Sequence, residues 1–81
     1  MRRIVVRFAD GRTTSLDLIE GREGEDLLRH MGHFPDREVR AVEEQVYDAL
    51  LPRRFRYQRR KDLEDLLRDH HHPVLQEGES P

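Results

Sequence analysis

R-I-V-V-R-F-A-D-G-R-T-T-S-L-D-L-I, from Arg3 to Ile19, decides the fold of this chain. Ile4, Val6 and Phe8 alternate with Arg3, Val5 and Arg7. Successive strand residues point to opposite faces, so the first set shares one buried face. On the return run Leu16 and Leu18 alternate with Ser15 and Asp17. Asp10-Gly11 between two such runs is a strong hairpin signal, because Gly11 tolerates the positive φ that these turns require. The residues from Ala9 to Thr13 all suit a turn, so the loop can exceed two residues. A lone hairpin is marginal in water, and the rest of the chain must cover its apolar face.

Working outward, Glu20-Gly21-Arg22-Glu23-Gly24 leads into a short helix over about 25–31. Leu27, Leu28 and Met31 stand there at helical spacing, with acids at the start where the helix dipole favours them. Gly32 stops it and His33-Phe34-Pro35 links onward. Asp36 then caps a second helix over about 37–51, with Val39, Val42, Val46 and Leu50 as its apolar stripe and Pro52 as its end. Phe55 and Tyr57 alternate with Arg54 and Arg56, which favours a third strand over 53–58, with a basic extension of the following helix as the alternative. A last helix spans about 60–70, with Leu63, Leu66 and Leu67 on one face. The expectation is an α+β domain over 1–72: hairpin strands 3–8 and 14–19, the third strand, and three helices. Phe8, Leu18, Leu28, Val42, Val46, Leu50 and Leu66 form its expected core. Residues 73–81 read as a disordered tail.

Composition narrows the function. The 81 residues are 35% hydrophobic and 40% charged, with a net charge of −2. Leu, Ile, Val and Phe stay above the roughly one-fifth below which a charged chain loses its core. No cysteine is present, which excludes a disulfide, a thiolate zinc site and a thiol nucleophile. No apolar run approaches the roughly 20 residues of a membrane span and no signal peptide opens the chain, so a cytoplasmic protein is expected.

The first 31 residues, M-R-R-I-V-V-R-F-A-D-G-R-T-T-S-L-D-L-I-E-G-R-E-G-E-D-L-L-R-H-M, resemble the opening hairpin and helix of ubiquitin-like β-grasp domains. The resemblance implies a non-catalytic recognition module. The second half departs from that pattern, and the chain ends Glu79-Ser80-Pro81 without the Gly-Gly of conjugated members.

Chemical motifs are sparse. Gly21-Arg22-Glu23-Gly24 has the spacing of a KH nucleic-acid loop, but a strand precedes it here where that family has a helix, so it reads as a turn. His70, His71 and His72 on a helix would splay through about 200°, and Gly32 separates His30 from His33. Neither group reads as a metal site. Glu43, Glu44, Glu64 and Asp65 lie among arginines as solvated surfaces do. No triad or nucleophile elbow is visible. The chain therefore reads as non-enzymatic, with no metal and no cofactor.

Charge layout is the remaining signal. Arginine outnumbers lysine 14 to 1. Met1–Arg12 carries +3 and Arg53–Lys61 carries +6, while Glu20–Asp26, Asp36–Leu50 and Asp62–Asp69 each carry −3. If the first and third strands share a sheet, Arg3, Arg7, Arg54 and Arg56 fall on its uncovered face with Ser15, Asp17 and Gln58. Phe55 and Tyr57 then face the core, away from any bases. The expected partner surface is Arg3, Arg7, Arg53, Arg54, Arg56, Arg59, Arg60 and Lys61. The leading reading is a small regulatory module that contacts another protein by this basic face, a sheet edge or a helix surface. The alternative is phosphate binding to nucleic acid by the same arginines. A homodimer contact is a further option, and a membrane is not expected.

Overall fold

The computed structural model describes residues 2–52 and 54–76. Its turns and pairings follow from the hairpin outward. Strand β1 (Arg2–Phe8) pairs antiparallel with β2 (Thr13–Leu18), with Ile4 opposite Leu16 and Val6 opposite Thr14. The Phe8 N–H donates to the Arg12 carbonyl (2.8 Å), and the Gly11 N–H donates to the Phe8 carbonyl (3.0 Å). Asp10 Oδ1 accepts from the Arg12 N–H at 2.9 Å. Gly11 takes φ +90°, which a side chain would resist.

Helix α1 (Glu23–Met31) follows, with Glu23, Glu25 and Asp26 in its first turn and Arg29 and His30 in its last. That distribution complements the helix dipole. Leu27 and Met31 face the sheet and are buried. Helix α2 (Lys61–Asp69) buries Leu63 and Leu67 beside them. The two helices meet closely at Gly24, where an added Cβ would lie 3.1 Å from Leu66 Cδ2. Ile4, Val6, Phe8, Leu18, Val39 and Val42 complete the core under the helices. The KH-like Gly21–Gly24 run is divided: Gly21 sits in a turn at φ +88°, and Glu23 and Gly24 already belong to the first turn of α1.

The second expected helix is not a helix. Val39–Tyr47 forms β3, so the described residues make four antiparallel strands and two helices, not a hairpin with a third strand and three helices. The reason lies in one irregularity. Phe8 pairs with Val39 but Arg7 pairs with Ala41, so β3 carries an extra residue at that step. Such a bulge lets Val39 and Val42 face the same side although three apart, which imitates a helical stripe. Beyond it Val42, Glu44 and Val46 alternate inward at strand spacing, and Glu44 breaks the apolar pattern because Arg60 neutralises it. With the helix gone, Asp36 is no cap. Leu50 leaves the expected core: it sits in the β3–β4 turn at 93% exposure. Leu28 and Leu66 pack only partly buried against the core, and Val46 is half-buried.

Strand β4 (Phe55–Arg59) pairs antiparallel with β3, from Tyr47 opposite Phe55 to Glu43 opposite Arg59. It starts two residues later than expected, and Arg53 lies outside the described residues. The sheet order is β2-β1-β3-β4, which leaves β2 and β4 at the edges. The outer side of β3 is completed beyond β4 by other groups. The Val42 N–H donates to Glu64 Oε2 (2.9 Å) and the Arg60 N–H donates to the Val42 carbonyl (2.8 Å). The Val39 N–H donates to the Pro73 carbonyl (2.9 Å), and the Leu75 N–H to the Val39 carbonyl (2.8 Å). The segment expected as a tail from residue 73 is thus hydrogen-bonded to the sheet at its start, where Val74 bridges Val39. Residues 77–81 lie outside the described residues.

Candidate functional site

Both helices pack on the side of the sheet that carries Ile4, Val6 and Phe8. Cross-strand partners share a face, so the register defines the opposite, uncovered one. It carries Asp17, Arg3 and Gln45 in one row and Thr13, Arg7 and Ala41 in another. Toward β4 the register adds Tyr57 beside Gln45 and Phe55 beside Tyr47. The expectation for β4 is therefore inverted. Phe55 and Tyr57 lie on the open face, and Arg56 lies on the helix side, opposite Val46. The junction with α2 sets this register. Arg59 donates twice to Glu64, from Nε and Nη2 at 2.8 Å each, and Arg60 Nη1 donates to Glu44. Shifting β4 by one residue would break all of these contacts and put every β4 side chain on the other face.

Tyr47, Phe55 and Tyr57 are 62%, 46% and 48% exposed. The Tyr47 and Phe55 rings meet edge-to-face with centroids 6.0 Å apart. The Arg7 guanidinium lies 5.6 Å from the Tyr57 ring centre while its Nε bonds Glu43. Leu50 and Leu51 are also exposed, in the β3–β4 turn. Monomeric soluble proteins rarely expose contiguous large apolar groups without a use for them. Tyr47, Leu50 and Leu51 were legible only as parts of a helix; the alternation of Phe55 and Tyr57 was legible, but not the face it would choose.

The seven expected site residues that the structure describes do not converge on one surface. Arg3 donates to Asp17 at 3.2 Å and Arg7 pairs with Glu43, so both open-face arginines are neutralised in place. Arg59 and Arg60 bind Glu64, Glu44 and Asp62 and tie β4 to β3 and α2. Hydrogen bonds to Asp62 and Glu44 raise the Arg60 pKa against the opposing effect of burial, and the Arg60 bond lowers that of Asp62. Arg56 lies 3.8 Å from Asp48 and donates to Gln58. Arg54 ends the turn at φ +64°, its carbonyl accepting the Asp48 N–H at 2.6 Å. Lys61 is exposed at the start of α2, and Arg53 lies outside the described residues.

The histidines have local roles. His30 Nε2 is 2.8 Å from Thr14 Oγ1, and burial, then the neighbouring His33, lowers its pKa. His72 Nε2 is 3.0 Å from the Arg37 carbonyl and His70 Nδ1 is 3.0 Å from that of Leu66. Among the described residues no three His, Cys, Asp or Glu side chains are placed to hold a metal, and no helix is long and apolar enough to cross a membrane.

Comparison with known protein families, with curated proteins and with solved structures finds no match to this chain.

Proposed function

We propose that this chain is a small non-enzymatic binding module that contacts another protein through the open face of its sheet at the β3–β4 end. The observation that carries this reading is the row of Tyr47, Phe55 and Tyr57 on the face away from the helices. Aromatic side chains give large contact area at little entropic cost, and they are enriched at protein interfaces. The contact surface is thus more aromatic than the basic face read from composition, with Arg3 and Arg7 as its paired polar flank. The resemblance of residues 1–31 to ubiquitin-like domains points toward recognition in the same way.

Base stacking on Phe55 and Tyr57 is the second reading, because the rings do face outward as they do in single-strand binders. Charge favours protein. Asp17 and Glu43 share the face with Arg3 and Arg7, so phosphates would meet carboxylates there, and the whole chain carries −2.

The test immobilises the full chain and a Phe55→Thr/Tyr57→Thr variant in a lysate of the source cells. Threonine keeps the strand preference while removing the rings. A protein retained by the parent and lost with the variant is the expected result. Retention of nucleic acid, with a steep loss as salt rises, contradicts the reading.

A further inference from the structure

We infer that a second copy of this chain adds to the outer edge of β2, strand against strand, so that two four-stranded sheets join into one. Three observations carry it.

The first is the hydrogen-bond parity of β2. The Phe8 N–H donates to the Arg12 carbonyl, which makes Phe8 and Arg12 a bonded pair. Bonded and non-bonded pairs alternate in an antiparallel ladder, so Thr14, Leu16 and Leu18 bond to β1. The N–H and C=O groups of Thr13, Ser15 and Asp17 therefore turn outward along the edge. Among the described residues no backbone bond reaches them.

The second is the lack of protection. Free edges of sheets commonly carry lysine, proline or a bulge that keeps other strands away. Thr13–Leu18 reads T-T-S-L-D-L and pairs with β1 without a register shift, so it has none of these. Its one charge, Asp17, is held by Arg3 at 3.2 Å. Ile19 follows at once and is 57% exposed. The edge thus offers unused backbone groups beside an apolar side chain in water.

The third selects the partner. A two-fold axis at Ser15 pairs β2 antiparallel with itself over all its outward positions: Ser15 opposite Ser15, and Thr13 opposite Asp17. Each such pair exchanges both of its N–H···O bonds. On the open face the Thr13 hydroxyl meets the Asp17 carboxylate of the second copy, and the two Asp17 side chains lie at opposite ends. On the helix side Thr14 falls opposite Leu16 in a non-bonded pair, where side chains come closest. Leu16 is only partly buried in one copy and gains cover there. Ile19 comes beside the Asp10-Gly11 turn of the second copy. The strand is its own complement, hydroxyl to carboxylate and methyl to leucine, in the register that uses its full length.

Such an axis stands perpendicular to the sheet, so both open faces lie on one side. The two β4 strands become the outer edges, about 34 Å apart at about 4.8 Å per strand. On the binding reading above, the dimer carries two aromatic surfaces facing the same way, which favours a partner with two matching sites.

Sedimentation velocity of the full chain over a concentration series reads association, and NMR amide exchange reads the edge. A dimer is expected, with protection of the Thr13, Ser15 and Asp17 amides that grows with concentration. Ser15→Pro removes the N–H at the axis, which β1 does not use, and proline is tolerated where an edge N–H faces solvent. It should weaken dimerisation at least about tenfold and leave the fold intact. Ser15→Lys opposes like charges at the axis and should weaken dimerisation more at low salt than at high salt, which decides the matter if the proline variant does not fold. A chain that stays monomeric up to about 1 mM overturns the proposal. So does a dimer that these variants leave unchanged, or one whose concentration-dependent protection falls on Phe55 and Tyr57 instead. Association is read with no other protein present, so it fails independently of the lysate capture that judges the aromatic face.

Discussion

The two hairpins of this sheet are both rich in arginine and differ in what backs them. In β1–β2, Ile4, Val6, Phe8 and Leu18 all turn toward α1 and α2 and lose all contact with water. In β3–β4 the large side chains beyond Glu43 turn the other way. Tyr47, Phe55 and Tyr57 stand on the open face, and Arg56 and a half-buried Val46 occupy the helix side. One hairpin holds the fold, and the other projects apolar surface that the fold does not use. Apolar area stabilises a chain only when it leaves water. The exposed half of each β4 ring therefore adds nothing to stability alone and gains value when something covers it.

Replacement of a buried ring in the first hairpin should have the largest effect. Phe8→Ala removes a fully buried side chain that also stacks on Phe34 with ring centres 5.4 Å apart, and it should cost about 3–5 kcal/mol in urea unfolding. A cost near zero would erase the distinction between the hairpins.

Next comes the anchor of the second hairpin. Glu64 is 2% exposed and accepts from Val42 N–H and twice from Arg59. Glu64→Ala leaves that N–H without its partner and should cost about 2 kcal/mol. NMR should show β4 amides exchanging faster before those of β1 do. Uniform loosening of all four strands would mean that the hairpins are not separable in this way.

A smaller effect concerns His30, which bonds Thr14 of the first hairpin. Burial lowers its pKa in the folded state below the ordinary 6.5, so the unfolded chain takes up this proton first as pH falls. Stability from this group is complete above the unfolded pKa and declines as pH drops toward the folded one. Urea midpoints compared between about pH 7 and pH 5 should fall, and His30→Gln should flatten that decline.

The ease of reading these regions from sequence differed for physical reasons. Ile4, Val6, Phe8 and Leu18 announce a strand because their period of two is unbroken and their turn carries Asp10-Gly11. The register of β3 is hidden twice: a bulge near Val39 spaces its inward valines like a helix, and Glu44 occupies an inward position that Arg60 makes tolerable. The face of Phe55 and Tyr57 depends on Arg59 and Arg60 reaching Glu64 and Glu44, contacts made across the fold and invisible in local pattern. The same pairing explains why Arg59 and Arg60 were legible as part of a charge cluster but not as a clasp.

The most direct test of the division between the hairpins is equilibrium urea unfolding of the Phe55→Thr/Tyr57→Thr variant. It should lose no more than about 1 kcal/mol, the scale of its edge-to-face contact with Tyr47 and the Arg7 contact. A loss of about 3 kcal/mol or more, comparable to Phe8→Ala, would show that these rings hold the fold and would contradict their assignment as a binding surface.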